Sequence, residues 1–403
     1  MIDQTAPALD YRTWQRGRVV VGDRAYAVAT KPGLAGHASG DPATVMLAAA
    51  LGDVRDAVVV SMPSGNGVVA AAAVAAGARE VHCADRSSIA REATARTLAM
   101  QSSEMSDTMV HIHATHGITA LPGSGRADVV ALRVVPEKLP MLQLLHDALR
   151  LLRPGGRCLV AGANAEGAKS AATLLQRLAG HAKLLEQHSS HRLVVAVRPE
   201  TLPPCPADLI TPYTDPDHFH ETVVSLAGHP FTLSSRPGVF SWEHLDEATA
   251  TLASLLDVRA GERVLDLGCG AGALGALAAR QSGTGDVALV DVDIEAVRSA
   301  DRTLRAAGLM NARALSSDIA LAVDGAGFDV VVANPPFHVG RHTDLEVPRQ
   351  FMREAFDALV SGGRLWLVAN RTLPYESMLT ALFGSYAVAH DGVRFKVLRA
   401  VKP

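Results

Sequence analysis

Val264-Leu265-Asp266-Leu267-Gly268-Cys269-Gly270-Ala271-Gly272 decides the fold. An apolar strand, interrupted only by Asp266, runs into a turn with three glycines, and a helix-forming run beginning Ala273-Leu274 follows. Strand, tight turn and helix open a βαβ unit, whose ligands sit at the carboxyl ends of the strands. Glycines there let backbone N–H groups approach a ligand where a side chain would block it. About twenty residues later, Leu289-Val290-Asp291 closes the next strand with a carboxylate placed for ribose hydroxyls. Apolar runs and helical stretches go on alternating, which predicts an α/β fold with a doubly wound, mostly parallel sheet.

The same plan is written earlier in the chain. Lys31-Pro32-Gly33 returns as Arg236-Pro237-Gly238, Ala43-Thr44 as Ala248-Thr249, and Gly65 and Gly67 as Gly270 and Gly272, each 205 positions on (238 − 33, 249 − 44, 270 − 65). A constant offset across unrelated local features predicts a duplicated domain. In each copy an extended segment and a helix precede the first parallel strand. The proline-rich stretch carrying Pro199, Pro203, Pro204, Pro206, Pro212 and Pro216 separates the copies. The expected domains are therefore residues 1–198, a linker over 199–219, and residues 220–403. The copies differ where chemistry would sit. Ser61 stands in place of Asp266, Pro63 in place of Gly268, and Arg133-Val134-Val135-Pro136 in place of Asn334-Pro335-Pro336-Phe337. The first copy reads as a degenerate scaffold and the second as the catalyst.

The 403 residues are 48% hydrophobic and 20% charged, which excludes a disordered chain. A net charge of −3 gives no global pull toward nucleic acid, so any such contact needs local basic patches. Cys83, Cys158, Cys205 and Cys269 lie far apart and read as reduced thiols of a cytoplasmic protein, with neither disulfide nor zinc spacing. No signal peptide is evident, and the apolar run around Val68 is too short to span a bilayer. His111, His113 and His116 share a strand-like stretch, but no carboxylate or thiol joins them in sequence, so no metal is expected.

Asn334-Pro335-Pro336-Phe337 follows the apolar run ending at Ala333. The Asn334 carbonyl and a proline backbone carbonyl suit the two N–H bonds of a planar amine. Fixed prolines hold them rigid, and Phe337 can stack on the ring bearing that amine. Gly270-Ala271-Gly272-Ala273-Leu274-Gly275 also matches the dinucleotide fingerprint, which keeps a nicotinamide enzyme open. Asp266 argues for S-adenosylmethionine instead, because it would meet the donor's cationic end and would repel a pyrophosphate. Asp318 is placed for the adenine edge, with a helix cap as the alternative use, and Asp293 reads as a cap for its helix.

With these residues in place, the second copy resembles the small-domain S-adenosylmethionine-dependent methyltransferases, above all the bacterial tandem-domain ribosomal RNA guanine-N2 methyltransferases. The matching stretches are Ser235-Arg236-Pro237-Gly238-Val239-Phe240, the glycine turn, Asp291, Asn334-Pro335-Pro336-Phe337-His338, Val368-Ala369-Asn370 and Arg394-Phe395-Lys396-Val397. The resemblance implies two tandem Rossmann-like class I methyltransferase domains, the first degenerate. It further implies methyl transfer to the exocyclic N2 of a guanine in ribosomal RNA. Pro237-Gly238-Val239-Phe240 and Leu373-Pro374-Tyr375 resemble the small-subunit (16S, guanine-1207 type) branch, while Val368-Ala369-Asn370-Arg371 would also suit the large-subunit (23S) branch. It places catalysis on Asn334, Pro335 and Phe337, and the cofactor on Asp266, Gly268, Cys269, Gly270, Asp291, Asp318, Asn334 and Phe240. Arg341, Arg371, Arg394 and Lys396 form a rim for RNA, with His342 beside them. Arg236 and Phe240 are expected to lid the cofactor, and His338 to orient its loop. Tyr11, Arg12, Trp14, Arg16 and Arg18 form a basic-aromatic cluster that leaves an RNA contact open, with Trp14 expected to pack on the first domain. The expected partner is ribosomal RNA or the small subunit, with the protein a monomer. Methylation of another planar amine (adenine N6 or a protein glutamine) and a non-catalytic RNA-binding assembly factor remain open.

Overall fold

The computed structural model describes residues 11–34, 40–101, 108–115, 125–335, 346–371 and 375–403. Pro336, Phe337, His338, Arg341, His342, His116, Leu373 and Pro374 lie outside the described residues.

The first half begins with a hairpin, β1 (Gln15–Val21) and β2 (Arg24–Thr30), and a helix, α1 (Pro42–Ala49). Then come β3 (Val58–Met62), α2 (Val68–Ala75), β4 (Glu80–Asp85), α3 (Ser88–Ala99) and β5 (Met109–Ala114). It closes with β6 (Ala127–Arg133), α4 (Lys138–Leu151), β7 (Leu152–Ala163), α5 (Ala168–Ala179), β8 (Lys183–His188) and β9 (His191–Val197). The second half repeats this element for element. Its hairpin is β10 (His220–Leu226) and β11 (His229–Ser235), followed by α6 (Glu247–Leu255), β12 (Val264–Leu267), α7 (Ala273–Ser282), β13 (Val287–Asp291), α8 (Ile294–Ala306) and β14 (Ala312–Ser316). Then β15 (Phe328–Ala333), α9 (Glu346–Ala358), β16 (Leu359–Asn370), α10 (Tyr375–Phe383), β17 (Ala387–Asp391) and β18 (Phe395–Val401) complete it.

The two sheets have the same strand order, β5-β4-β3-β6-β7-β9-β8 and β14-β13-β12-β15-β16-β18-β17. The first five strands of each are parallel and the last two antiparallel. The sequence predicts a mostly parallel sheet and marks no antiparallel edge strands. The reason is physical: β8 and β17 are exposed at every residue, so neither carries an apolar alternation to read. The central strands β3, β12 and β15 are almost wholly buried, as strands covered by helices on both faces must be.

Small residues let helices sit close to the sheet. Gly272 starts α7 at φ 82°, and a Cβ there would stand 3.0 Å from the Ala300 Cα of α8 and 3.2 Å from Leu289 Cδ2. Gly272→Ala is therefore expected to lower the denaturant midpoint, by a stability loss on the order of 1–3 kcal/mol.

The halves meet about equivalent segments. Ser87 and Asp293 pair as an isolated antiparallel bridge, with Ser88 N–H donating to the Val292 carbonyl (2.8 Å) and Ile294 N–H to the Arg86 carbonyl (3.0 Å). Arg86 adds a two-pronged ion pair to Asp293, which also caps α8 as the sequence suggested, its Oδ1 accepting from Glu295 N–H. This contact places the first half's β4–α3 turn beside the second half's ligand-binding end.

Candidate active site

A cavity of about 520 Å³ opens at the carboxyl ends of β12, β13 and β15. Asp266, Gly268, Cys269, Gly270, Asp291, Asp318, Asn334, Pro335 and Phe240 all line it, so these sequence-predicted residues converge. Phe240 is 62% exposed at its mouth.

Asp266 is 1% exposed, and its Oδ2 accepts the Gly275 N–H of α7 at 2.7 Å. Asp291 accepts Gly270 N–H through Oδ2 and Asp293 N–H through Oδ1, both at 3.0 Å. The turn differs from expectation in one respect. Gly268 and Cys269 N–H both donate to the Val290 carbonyl, Gly270 N–H to Asp291, and Gly272 N–H to the Cys269 carbonyl. These amides are already bonded within the protein and do not form an open cradle for a pyrophosphate. The buried Asp266 and the partly exposed Asp291 beside them add acidic groups that suit a cation better than a phosphate. Burial raises Asp266 to about 7, and it also raises Asp291, with help from the Asp293 charge, to about 6.

Asn334 is anchored from the opposite side. Its Nδ2 donates to Asp246 Oδ2 (3.2 Å) and to Thr249 Oγ1 (2.9 Å), at the start of α6. Asp246 also accepts Thr249 N–H at 2.9 Å, which caps that helix. An ionised carboxylate can only accept, so the amide nitrogen must face it and the oxygen must face away. Asn334 Oδ1 is buried and has no hydrogen-bond partner among the described residues, while its residue lines the cavity. Sequence reasoning missed Asp246 and Thr249. The signal was present, because Asp41 and Thr44 precede them by the same 205 positions (246 − 41, 249 − 44).

The degenerate half shows the counterpart in a closed state. Arg133 reaches Asp41 (2.7 Å) and Glu166 (3.0 Å) and so neutralises the carboxylate that anchors the amide in the other copy. Gly65 N–H donates to Asp85 at 3.0 Å as Gly270 N–H does to Asp291, so this scaffold hydrogen bond is common to both halves.

The first half also contributes to the cavity wall through Tyr11, Gly33, Ser87 and Ile89, none of which was anticipated. Asp318 accepts a hydrogen bond from Tyr11 (2.9 Å) and an ion pair from Lys31, whose Nζ lies 4.0 Å from the Tyr11 ring centroid. Arg12 extends this bridge to Glu354 (3.1 Å) and Asp324 (3.4 Å). The basic-aromatic cluster thus divides, with Trp14 on the first half as expected. Trp14 packs near Leu34, Ile89 and Ala93, whereas Tyr11 and Arg12 cross to the second half.

Arg236 is not a lid. It is 3% exposed and donates to Gln143 (3.1 Å) and to the Tyr213 and Asp215 carbonyls (3.3 and 3.1 Å), which ties the linker to the first half. Its equivalence to Lys31 explains this: each crosses toward the other half. Of the rim cations, Arg371 pairs with Asp391, Arg394 with Glu247, and Lys396 with Glu376 at 2.7 Å. Such exposed pairs contribute little to stability and exchange readily. No helix among the described residues is long and apolar enough to cross a membrane.

Residues 230–399 match the family model described as the methyltransferase small domain. Fold, acidic cavity and this match define a class I S-adenosylmethionine-dependent methyltransferase. Among curated proteins, the chain is 34% identical over 284 residues to a ribosomal RNA small subunit methyltransferase C of Hahella chejuensis, covering 70% of this chain and 80% of that one. The Erwinia tasmaniensis protein of the same name is 36% identical over 269 residues, covering 66% and 74%. A solved structure, T. thermophilus 16S rRNA N2 G1207 methyltransferase in complex with AdoMet and guanosine, superposes with a TM-score of 0.81 at 27% identity, over 98% of this chain and 99% of that one. The chain belongs to the ribosomal RNA small subunit methyltransferase C family.

The cofactor's sulfonium and ammonium groups need ionised carboxylates. Below about pH 7 the empty site holds a proton on Asp266, and below about pH 6 on Asp291. Where binding displaces these protons, donor affinity is expected to weaken by up to about tenfold per pH unit between pH 7 and pH 6, by up to about a hundredfold per unit below pH 6 where both must leave, and to level off above pH 7. Calorimetry at pH 6 in buffers of different ionisation enthalpy should show proton release. The empty fold follows the opposite trend. A raised folded-state carboxylate binds protons better than the unfolded chain does, so these two groups remove stability as pH rises from about 4 to about 7.

Proposed function

We propose that this enzyme transfers a methyl group from S-adenosylmethionine to the exocyclic N2 of a guanine in 16S ribosomal RNA, at the position equivalent to G1207. The observation that carries the reading is the Asn334 carboxamide at the cavity wall, fixed through its nitrogen by Asp246 and Thr249, with a buried oxygen that has no hydrogen-bond partner among the described residues. A buried acceptor without a donor costs on the order of 1–3 kcal/mol, a cost removed when a substrate N–H arrives.

Guanine N2 is a poor nucleophile because its lone pair is conjugated into the ring. Asn334 Oδ1 and the Pro335 carbonyl accept its two hydrogens and turn the lone pair toward the cofactor, which when bound would supply an electrophilic methyl group and be left as a neutral thioether, and the methylated amine would then lose one N–H proton to water. Positioning of this kind is worth roughly 7–11 kcal/mol of barrier. The base must leave its stack to enter the cavity, and Phe337 takes it as a stacking partner. Asp266 holds the donor's ammonium, Asp291 its ribose and Asp318 its adenine edge, with Gly268, Cys269 and Gly270 against it and Phe240 at the mouth. Arg341, Arg371, Arg394 and Lys396 take phosphates, the last three by exchanging their present carboxylate partners. Residues 220–403 form the catalytic domain, and residues 1–198, joined by the 199–219 linker, support it. The protein works in the cytoplasm as a monomer on RNA or the small subunit.

Incubation with isotopically labelled S-adenosylmethionine and separated ribosomal subunits or RNAs, followed by nucleoside analysis, tests the reading. Label in N2-methylguanosine from 16S RNA is expected. Label only in N6-methyladenosine, in protein, or in 23S RNA would overturn the substrate assignment.

A further inference from the structure

One side-chain cluster lies outside the methyl-transfer site altogether. On β4 and β5 of the first sheet, Glu80 and His82 stand two residues apart, His111 is in register with His82, and His113 follows two residues on. The period-two alternation of strands therefore puts all four on one face, the face that also carries Val60, Met62 and Ala84. β5 is the edge strand. The sequence reading dismissed the histidines for want of a carboxylate, but strand pairing brings one in from thirty residues upstream (111 − 80 = 31).

We infer that Glu80, His82 and His111 form a binding site for one divalent transition-metal ion of the zinc class. Glu80 Oε1 lies 2.9 Å from His82 Nε2 and 3.4 Å from His111 Nε2, and one ligand atom from each of the three falls within 4.8 Å of the others. Two ligands on a tetrahedral zinc ion, bound at 2.0–2.1 Å, stand about 3.3 Å apart, so a small rotation of the half-exposed His111 ring completes the set. Two imidazoles and a carboxylate with open positions is a donor set that borderline-soft ions prefer. His82 Nδ1 sits 3.0 Å from His113 Nε2, which supplies the partner that fixes a ligating ring's tautomer.

The fold does not demand this cluster. The equivalent positions in the catalytic half are Asp286, Ala288, Arg313 and Leu315, where a plain Arg313–Asp286 ion pair (2.6 Å) closes the same sheet edge. An ion bound to Glu80, His82 and His111 would pin β5 to β4 in its place.

The test uses the untagged full-length protein titrated with Co²⁺ and Zn²⁺, followed by calorimetry, visible absorption and thermal unfolding. One equivalent should bind, give a Co²⁺ d–d spectrum and raise the unfolding temperature. Glu80→Gln and His111→Ala, both at positions that are not fully buried, should abolish the spectrum while keeping the far-UV dichroism and methyl transfer. His113→Phe should weaken binding on the order of 10–100-fold. No binding by the native chain would overturn the inference. So would binding unchanged in Glu80→Gln and His111→Ala, because the ion would then be held by other histidines.

Discussion

Replacing Asn334 by alanine is expected to slow methyl transfer by on the order of 10²–10³ while leaving S-adenosylmethionine affinity within a few-fold of native. In the proposed reaction the oxygen removed accepts from the amine, and the carboxamide is held by Asp246 and Thr249 at the start of α6. Single-turnover methylation and calorimetry separate the two effects. Asn334→Asp should be no better, because a second carboxylate would stand where the amide nitrogen now donates to Asp246. Thr249→Ala removes one anchor only and should cost less in rate than Asn334→Ala. If Asn334→Ala instead abolished cofactor binding with transfer per bound cofactor unchanged, Asn334 would belong to the donor site and the acceptor assignment would fail.

Lys31→Met carries the second large effect, because the residue lies in the half that has lost its own site. Lys31 is 2% exposed and pairs with Asp318 in the cofactor cavity. Removing the lysine strands Asp318, which is partly exposed and keeps Tyr11, so the cost is expected to fall below the roughly 3–5 kcal/mol of a fully buried pair. Thermal unfolding should drop, and cofactor affinity should fall with it as Asp318 loses the partner that holds it beside Tyr11. Lys31→Met combined with Asp318→Asn removes both charges. It should recover much of the stability without restoring affinity. A Lys31→Met protein as stable and as tight-binding as native would show that the first half does not build the donor site.

The sequence made the local parts of this molecule legible. Asp266, Gly268, Gly270 and Asp291 lie within one βαβ unit, where periodicity and spacing speak for themselves, and Asn334 follows the next apolar strand. The duplication was readable because turn glycines recur at a fixed offset. What could not be read depends on contacts between distant segments. Tyr11 and Lys31 meet Asp318 across roughly three hundred positions (318 − 11 = 307), and no motif records that meeting. Arg236 looked like a lid because it precedes a glycine turn, yet pseudo-symmetry turns it into the linker and Gln143. Glu80 and His111 illustrate the same limit, since sheet register, not sequence spacing, makes them neighbours. The wholly exposed strands β8 and β17 left no pattern at all.

The most direct measurement is a crystal structure of this protein with S-adenosylhomocysteine and guanosine. The account predicts guanine N2 within about 3 Å of both Asn334 Oδ1 and the Pro335 carbonyl oxygen, on the side of the cavity that faces the cofactor sulfur. A guanine whose amine points away from those two oxygens, or one seated outside the cavity with Asn334 Oδ1 still unpaired, would contradict it.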